Sequence, residues 1–235
     1  MPKWQVEYTF DECIERLEWQ VRHLKARDRE WRKARQPQRA AQDRQSRSER
    51  AFAFVYSAGA LEDLFRRLDV DLPTDLRRLE VRRRDLRPNA MAILIPNAWD
   101  SVSTDRVTRL VRRSQVVQAA NSFYVDGNPL EFAKVVSLGL SDGRTVNVHH
   151  FEAIWDGLCL SAGDDEFWGS RAHRQAVSTL AEKRNAIAHF ETDPREEAFR
   201  SSYGDLATMV TRVQQSVERL YEHLLVWLDR FERAD

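Results

Sequence analysis

Apolar residues recur at helical spacing near the beginning of the chain. The first apolar stripe has a member every three or four positions from Phe10 to Leu24, and Trp31 follows seven positions later on the same face. Thr9 and Glu12 have the spacing of a capping box, which marks the start of many helices. The pattern therefore predicts an N-terminal helix over residues 10–34.

A second helix follows a polar stretch. Pro37 is expected to break or bend the first helix, and residues 35–49 are polar enough to form a loop or a solvated helix. Residues 50–61 are apolar nearly all round, which is typical of a central helix. Gly59 in this helix is expected to let a neighbouring helix approach closely, and Pro73 is expected to close the unit.

The middle of the chain, residues 71–149, has a less regular pattern and is interpreted as an insert. Ser103 precedes apolar residues at helical spacing and is a candidate helix cap. Residues 130–138 have the pattern of a short helix, and Thr145–Val148 that of a brief strand with no obvious strand to pair with.

The last third again has helical periodicity. Residues 149–159 predict a short helix, and a further helix is expected from a capping Ser170 to about His189. Pro194 should prevent this helix from continuing. A long apolar stripe then predicts a helix over residues 202–231.

These elements indicate one all-α domain over residues 1–235. Its helical bundle would have a core formed by 48–70 and 150–232, in addition to the N-terminal helix. The chain has only 8 Gly and 7 Pro, fewer than a sheet-rich protein with many tight turns usually needs.

Charge and cysteine content restrict the function only weakly. Lys and Arg together balance Asp and Glu at 37 each, so net charge does not indicate nucleic-acid binding, although residues 27–50 and 66–87 are locally rich in Arg. Cys13 and Cys159 form neither a disulfide framework nor a metal-binding spacing. The start of the chain has no signal-peptide pattern, and no apolar run is long enough to cross a bilayer. We therefore expect a cytoplasmic protein without a membrane segment.

The segment with the clearest chemical content is Ala181-Glu-Lys-Arg-Asn-Ala-Ile-Ala-His-Phe190. From helical chemistry alone it would be a helix end, with a solvated Arg184 and with His189 placed favourably against the helix dipole. Its Arg, polar residue, three further residues and His resemble the signature of HEPN domains. Phe190 departs from that pattern, because many relatives have Gly after the His.

The flanking order supports the same resemblance, since a long helix follows the motif and an apolar helix with an acidic residue precedes it. HEPN domains are helical bundles found in prokaryotic toxins, anti-phage effectors and RNA-guided nucleases. The resemblance implies a metal-independent endoribonuclease without cofactors. It also implies a homodimer that joins two motifs in one site on an RNA substrate, and control by a partner protein or antitoxin.

The motif residues suit RNA cleavage on chemical grounds. Histidine is the side chain best suited to take and give protons under physiological conditions, which makes His189 a candidate acid or base, and Arg184 can meet the charge of the transition state with a forked donor. Asn185 lies four residues before His189, on the same helix face, where its amide could orient the imidazole or hold a phosphate oxygen. Glu62 is a candidate partner that fixes Arg184, the alternative being that Glu62 and Asp63 simply face solvent.

Three further cations, Arg171, Arg174 and Lys183, share the motif helix and could guide the RNA backbone, or they could form a solvated face. His149, His150 and Cys159 fit no zinc spacing well. The sequence thus leaves two hypotheses open. The first is an endoribonuclease toxin or defence effector, and the second is a non-catalytic HEPN-like subunit that binds RNA or a partner protein.

Overall fold

The computed structural model describes residues 3–34, 36–81, 85–86, 90, 145–160, 167–189 and 193–232. In these ranges the regular secondary structure is entirely helical, which confirms the all-α prediction. The helices are α1 (Gln5–Lys33), α2 (Gln36–Arg78), α3 (Val148–Leu158), α4 (Arg171–Ala188), α5 (Pro194–Phe199) and α6 (Tyr203–Glu232).

Helix α1 begins five residues earlier than the sequence predicted. The predicted capping box at Thr9 and Glu12 is wrong, because Thr9 lies inside the helix and its hydroxyl donates a hydrogen bond to Asp71. The free N–H groups of the first turn are satisfied from elsewhere in the fold. The carboxylate of Asp75, near the end of α2, accepts hydrogen bonds from the backbone N–H groups of Gln5 and Val6 at 2.9 and 3.0 Å.

Helix α2 is continuous over 43 residues. The polar stretch of residues 35–49 is helical from Gln36 onward, and Pro37 occupies the first turn, where a missing N–H costs nothing. The prediction that Pro73 closes the unit is wrong, because the helix continues through it to Arg78. Buried Leu72 and Leu76 anchor the last turns in the core, and this packing outweighs the hydrogen bond that proline cannot form.

The core lies where α1, α2, α4 and α6 meet. Helix α1 packs on α2 and α6, while α4 packs on α2 and α6, and α5 lies against α2. The largest fully buried side chains come from α1, α2 and α3 and include Phe10, Phe54, Phe65 and Phe151. Helix α2 is central, as its apolar sequence predicts, yet one of its faces is open to solvent.

The expected close approach at Gly59 is absent from the described residues. A Cβ added to this glycine would meet no atom within 4 Å. The smallness of Gly59 therefore does not serve the packing of α2 against its described neighbours.

Helices occupy both ends of the range 71–149 that the sequence assigned to an insert. Helix α2 takes up residues 71–78, and Asn147 caps α3 by accepting a hydrogen bond from the His149 N–H at 2.9 Å. The brief strand suggested for Thr145–Val148 is wrong, because residues 145–147 have no regular structure and Val148 begins a helix. The helices predicted after Ser103 and over 130–138 lie outside the described residues.

The C-terminal elements largely follow the sequence. Helix α4 begins after Ser170 and ends with His189 as its cap, as predicted. The short helix α5 was not predicted: Asp193 caps it, and Pro194 occupies its first position rather than simply ending α4. Among the helices of the described ranges, none combines the length and the apolar character needed to cross a membrane.

Candidate functional site

Arg184 lies in the last turns of α4 and points toward the central helix. Its guanidinium Nη2 is 3.1 Å from Oε1 of Glu62 and 3.3 Å from Oε2 of the same carboxylate. Both side chains are about one-third exposed, at 27% and 31%. The pairing that the sequence suggested is therefore present, and the alternative of a freely solvated Glu62 is not. Because Glu62 contacts Arg184, it is placed to fix the direction of that side chain.

The neighbouring acid on α2 has a different role. Asp63 pairs with Arg16 of α1 at 3.2 Å and with Arg66 of its own helix. The two consecutive carboxylates thus contact different helices on either side of α2. Glu62 ties α2 to α4, and Asp63 ties α2 to α1.

Asn185 is held by a residue that precedes α3. Its side-chain oxygen accepts a hydrogen bond from the hydroxyl of Thr145, which is buried. This contact fixes the orientation of the Asn185 amide, and it also anchors the chain that leads into α3. The amide is therefore positioned by the fold, and its Nδ2 group remains the atom that could reach an imidazole or a phosphate.

His189 stands at the C-terminal end of α4. Its backbone N–H donates to the carbonyl of Asn185 at 2.9 Å, which completes the last helical turn. The imidazole is exposed and makes no hydrogen bond or ion pair with any residue the structure describes. It is therefore accessible to a ligand from solvent.

Arg184 and His189 start from different sides of α4. Five positions on a helix correspond to a rotation of about 140° and a rise of about 7.5 Å. The guanidinium is turned toward Glu62 of α2, whereas His189 follows the last residue of the helix and its imidazole is exposed.

The three other candidate cations have different surroundings. Arg171 is exposed at the first position of α4, and Lys183 is half-buried. Arg174 donates from Nε to Glu152 of α3 at 3.1 Å, so its charge is balanced by a carboxylate. The role of these residues in RNA binding stays a prediction.

Glu152 is a hub that the sequence analysis missed. Its carboxylate also accepts a hydrogen bond from the indole of Trp168 at 2.8 Å and faces His149 at 3.2 Å. Burial would raise the pKa of this carboxyl, but the hydrogen bonds from Trp168 and Arg174 outweigh it and hold the pKa below its ordinary value. Glu152 therefore stays ionised and joins α3 to the beginning of α4.

No local signal in the sequence identifies Thr145 or Glu152 as partners of the motif helix. Both lie far from α4 along the chain, and neither belongs to a motif. The part of the chain that the structure describes contains no group of three or more His, Cys, Asp or Glu arranged to hold a metal ion.

Comparisons of the chain with protein-family models, with curated proteins and with solved structures found no match. The resemblance to HEPN domains therefore rests on the motif residues and on the order of the helices that flank them. Phe190, the position that departs from the motif, lies outside the described residues.

Proposed function

We propose that this chain is a metal-independent endoribonuclease of the HEPN type that acts as a homodimer. The observation that carries the proposal is the pairing of Arg184 with Glu62. Five positions later, at the end of the same helix, the His189 imidazole is exposed and contacts no polar group of the described residues. An arginine held by a carboxylate of the central helix keeps a fixed direction, and an imidazole open to solvent can reach a substrate.

The reaction that suits these groups is internal transfer at an RNA phosphate. The 2′-oxygen of a ribose forms a bond to phosphorus while the bond from phosphorus to the 5′-oxygen breaks. One imidazole takes the proton from the 2′-hydroxyl, and an imidazolium gives a proton to the departing 5′-oxygen. The products are a 2′,3′-cyclic phosphate and a 5′-hydroxyl.

Arg184 would stabilise the negative charge that develops in this reaction. The pentavalent phosphorus gains negative charge on its oxygens, and a guanidinium stays cationic at all ordinary pH values. Glu62 occupies Nη2, so the forked group can hold the carboxylate with one nitrogen and present others to the phosphate. Asn185 would orient the imidazole or bind a phosphate oxygen.

A homodimer supplies what one chain lacks. One chain supplies one Arg184 and one His189, so a site with two of each around one phosphate needs a second copy. A two-fold axis places each motif residue opposite its own copy, so that two imidazoles can act as base and acid. Free activity would damage the host, so a partner protein or antitoxin would hold the enzyme inactive in the cytoplasm until a signal, such as phage infection, releases it.

A second candidate function is a non-catalytic HEPN-like subunit that binds RNA or a partner protein. The observation that favours it is charge balance. Glu62 compensates Arg184, and Glu152 compensates Arg174, which weakens the attraction of this helix for phosphate.

Expression in cells separates the two candidates. We expect the wild-type chain to arrest growth and His189→Ala to abolish the arrest at equal protein level. His149→Ala is the matched control, because its imidazole is also exposed but faces Glu152. Equal growth of cells that express the wild type and His189→Ala would contradict catalysis and favour the binding subunit.

A further inference from the structure

Thr145 reaches the motif helix from a separate part of the fold. Its side-chain hydroxyl donates a hydrogen bond to Oδ1 of Asn185, the residue that follows Arg184 on α4. Thr145 is 8% exposed, and the next residue, Val146, is 4% exposed. A β-branched side chain at a buried position has few rotamers open to it. The hydroxyl is therefore held in place before any ligand arrives.

The start of α3 fixes the backbone on which Thr145 stands. Asn147 caps this helix, because its side chain accepts a hydrogen bond from the His149 N–H at 2.9 Å. Val148 and Phe151 of the first turns are both buried in the core. The position of the Thr145 hydroxyl is therefore set by the packing of α3 and not by the motif helix that it contacts.

The contact decides which end of the Asn185 carboxamide is left to bind a ligand. A carboxamide has one oxygen, which accepts hydrogen bonds, and one NH2 group, which carries two donors. The oxygen is bound by Thr145, while Nδ2 donates to no residue of the described ranges. Asn185 is partly exposed, and its Nδ2 is not among the described polar atoms that are buried without a partner. Two oriented N–H donors are therefore accessible from solvent.

The surroundings of these donors favour an anionic acceptor over the imidazole of His189. His189 lies four positions after Asn185 on the same helix face, yet its ring makes no hydrogen bond with the described residues. The amide therefore does not orient the imidazole in the folded chain. Arg184, directly before Asn185, attracts phosphate, and an N–H donates a stronger hydrogen bond to a charged oxygen than to a neutral one.

We infer that Thr145 is a positioning residue that commits the Asn185 amide to donate to a phosphate oxygen of RNA. The inference rests on the proposed function, because it assigns how that site holds its RNA, and it decides between the two roles open to Asn185. Thr145 does not touch the RNA. It prevents rotation of the amide, so that less conformational freedom is lost when RNA binds.

RNA binding in a His189→Ala background tests the inference without cleavage. This background also removes the imidazole, so any effect of Asn185 has to act on the RNA itself. We expect Asn185→Ala to raise the Kd of the full chain for single-stranded RNA about tenfold, and Thr145→Val to raise it about threefold. Thr145→Ser keeps the hydroxyl and should bind like the parent protein. Fluorescence anisotropy would measure each Kd.

A double variant separates positioning from a merely structural role. If Thr145 acts through Asn185, its hydroxyl has no further effect once the amide is gone, so Thr145→Val with Asn185→Ala should bind like Asn185→Ala alone. Additive losses of affinity would overturn the inference. Thr179→Val is the matched control and should leave Kd unchanged, because this hydroxyl on α4 accepts from Gln175 at 3.2 Å and holds no motif residue.

A further variant keeps the contact and removes only the donors. Asn185→Asp retains an acceptor oxygen for Thr145, so we expect its Tm to stay close to that of the parent protein while its Kd for RNA rises at least about tenfold. Gln175→Glu places the same new charge elsewhere on α4 and should weaken binding less. Equal losses in Asn185→Asp and Gln175→Glu would overturn the assignment of the amide to a phosphate.

These measurements are separate from the test of cleavage. The expected order of Kd values supports the inference even if the wild-type chain cleaves no RNA. RNA cleavage by the wild type, combined with a Kd that ignores Asn185→Ala or Thr145→Val, overturns the inference and leaves the nuclease standing. Absence of RNA binding by the His189→Ala protein overturns it as well.

Discussion

At the scale of single residues, the partners and the exposure of a side chain decide its role more than its residue type does. Arg184 and Arg174 lie on the same helix, and each is paired with a glutamate. Their exposure differs, however, because the Arg174 side chain is 50% exposed and that of Arg184 is 27% exposed. A less exposed, paired guanidinium suits catalysis better, since its position is fixed before the substrate arrives.

The first prediction concerns the geometry of this guanidinium. Arg184→Lys keeps the positive charge but loses the fork that can hold Glu62 and a phosphate together. We expect kcat for RNA cleavage to fall about 100-fold with little change in KM. Steady-state kinetics on a short RNA would measure both constants.

Arg174→Lys is the matched control, because it lies on the same helix and also faces a carboxylate. We expect it to keep kcat within about threefold of the wild type. Equal losses of kcat in the two variants would show that Arg184 has no special place in the reaction.

Sequence reasoning found part of this site. Arg184, Asn185 and His189 are recognisable because they lie close together in a motif, and the acid of an apolar helix drew attention to Glu62. Thr145 could not be found, since its contact with Asn185 joins positions 40 residues apart. Only the folded chain brings these two side chains together.

At the scale of elements, a side chain from one helix often decides where another begins. The start of α1 is fixed by Asp75 of α2, which caps it from outside. The local capping pattern at Thr9 and Glu12 was misleading, because the burial of Val6 and Phe10 stabilises a helix that begins earlier. Pro73 was misleading for the same reason: tertiary packing outweighs a weak local preference.

The second prediction concerns this capping carboxylate. Asp75→Ala leaves two backbone N–H groups without an acceptor, so we expect the free energy of unfolding to fall by about 2 kcal/mol. Burial raises the pKa of the Asp75 carboxyl despite its two backbone hydrogen bonds, so its negative charge brings little benefit. Asp75→Asn, which keeps an acceptor oxygen, should therefore lose less than Asp75→Ala. Urea unfolding would show this order, and equal losses would contradict the capping role.

At the scale of the whole molecule, Glu49 joins three helices. Its carboxylate, on α2, accepts hydrogen bonds from Arg27 of α1 at 2.8 and 3.0 Å and from the Tyr203 hydroxyl of α6 at 2.7 Å. Burial would raise the pKa of Glu49, but the bonds from Tyr203 and Arg27 outweigh it and the pKa is lowered. Ionised Glu49 therefore contributes to the stability of the bundle.

The third prediction follows from the sign of this shift. Because the pKa of Glu49 is lower in the folded chain, its contribution is fully present above the ordinary value of 4.5 and is lost as the pH falls through the folded pKa. We expect Glu49→Gln to be less stable than the wild type at pH 7 and the difference to shrink below pH 4.5. Urea unfolding at a fixed protein concentration across this range would measure it. A difference that stays constant with pH would contradict the account.

The all-α architecture was predictable from the sequence, because the long apolar stripes of α4 and α6 have helical spacing and indicate helices directly. The open face of α2 was not. Because the sequence of this helix is apolar nearly all round, it predicts that Phe52 and Val55 lie in the core. Whether an apolar residue of this helix is buried is decided by the arrangement of all the helices.

The chemistry of the cleaved ends tests the central claim most directly. Purified wild-type chain, incubated with single-stranded RNA in EDTA, should produce fragments with 2′,3′-cyclic phosphate and 5′-hydroxyl ends, while His189→Ala should leave the RNA intact. Intact RNA with both proteins, or equal cleavage by both, would contradict the assignment of His189 and Arg184 to the reaction.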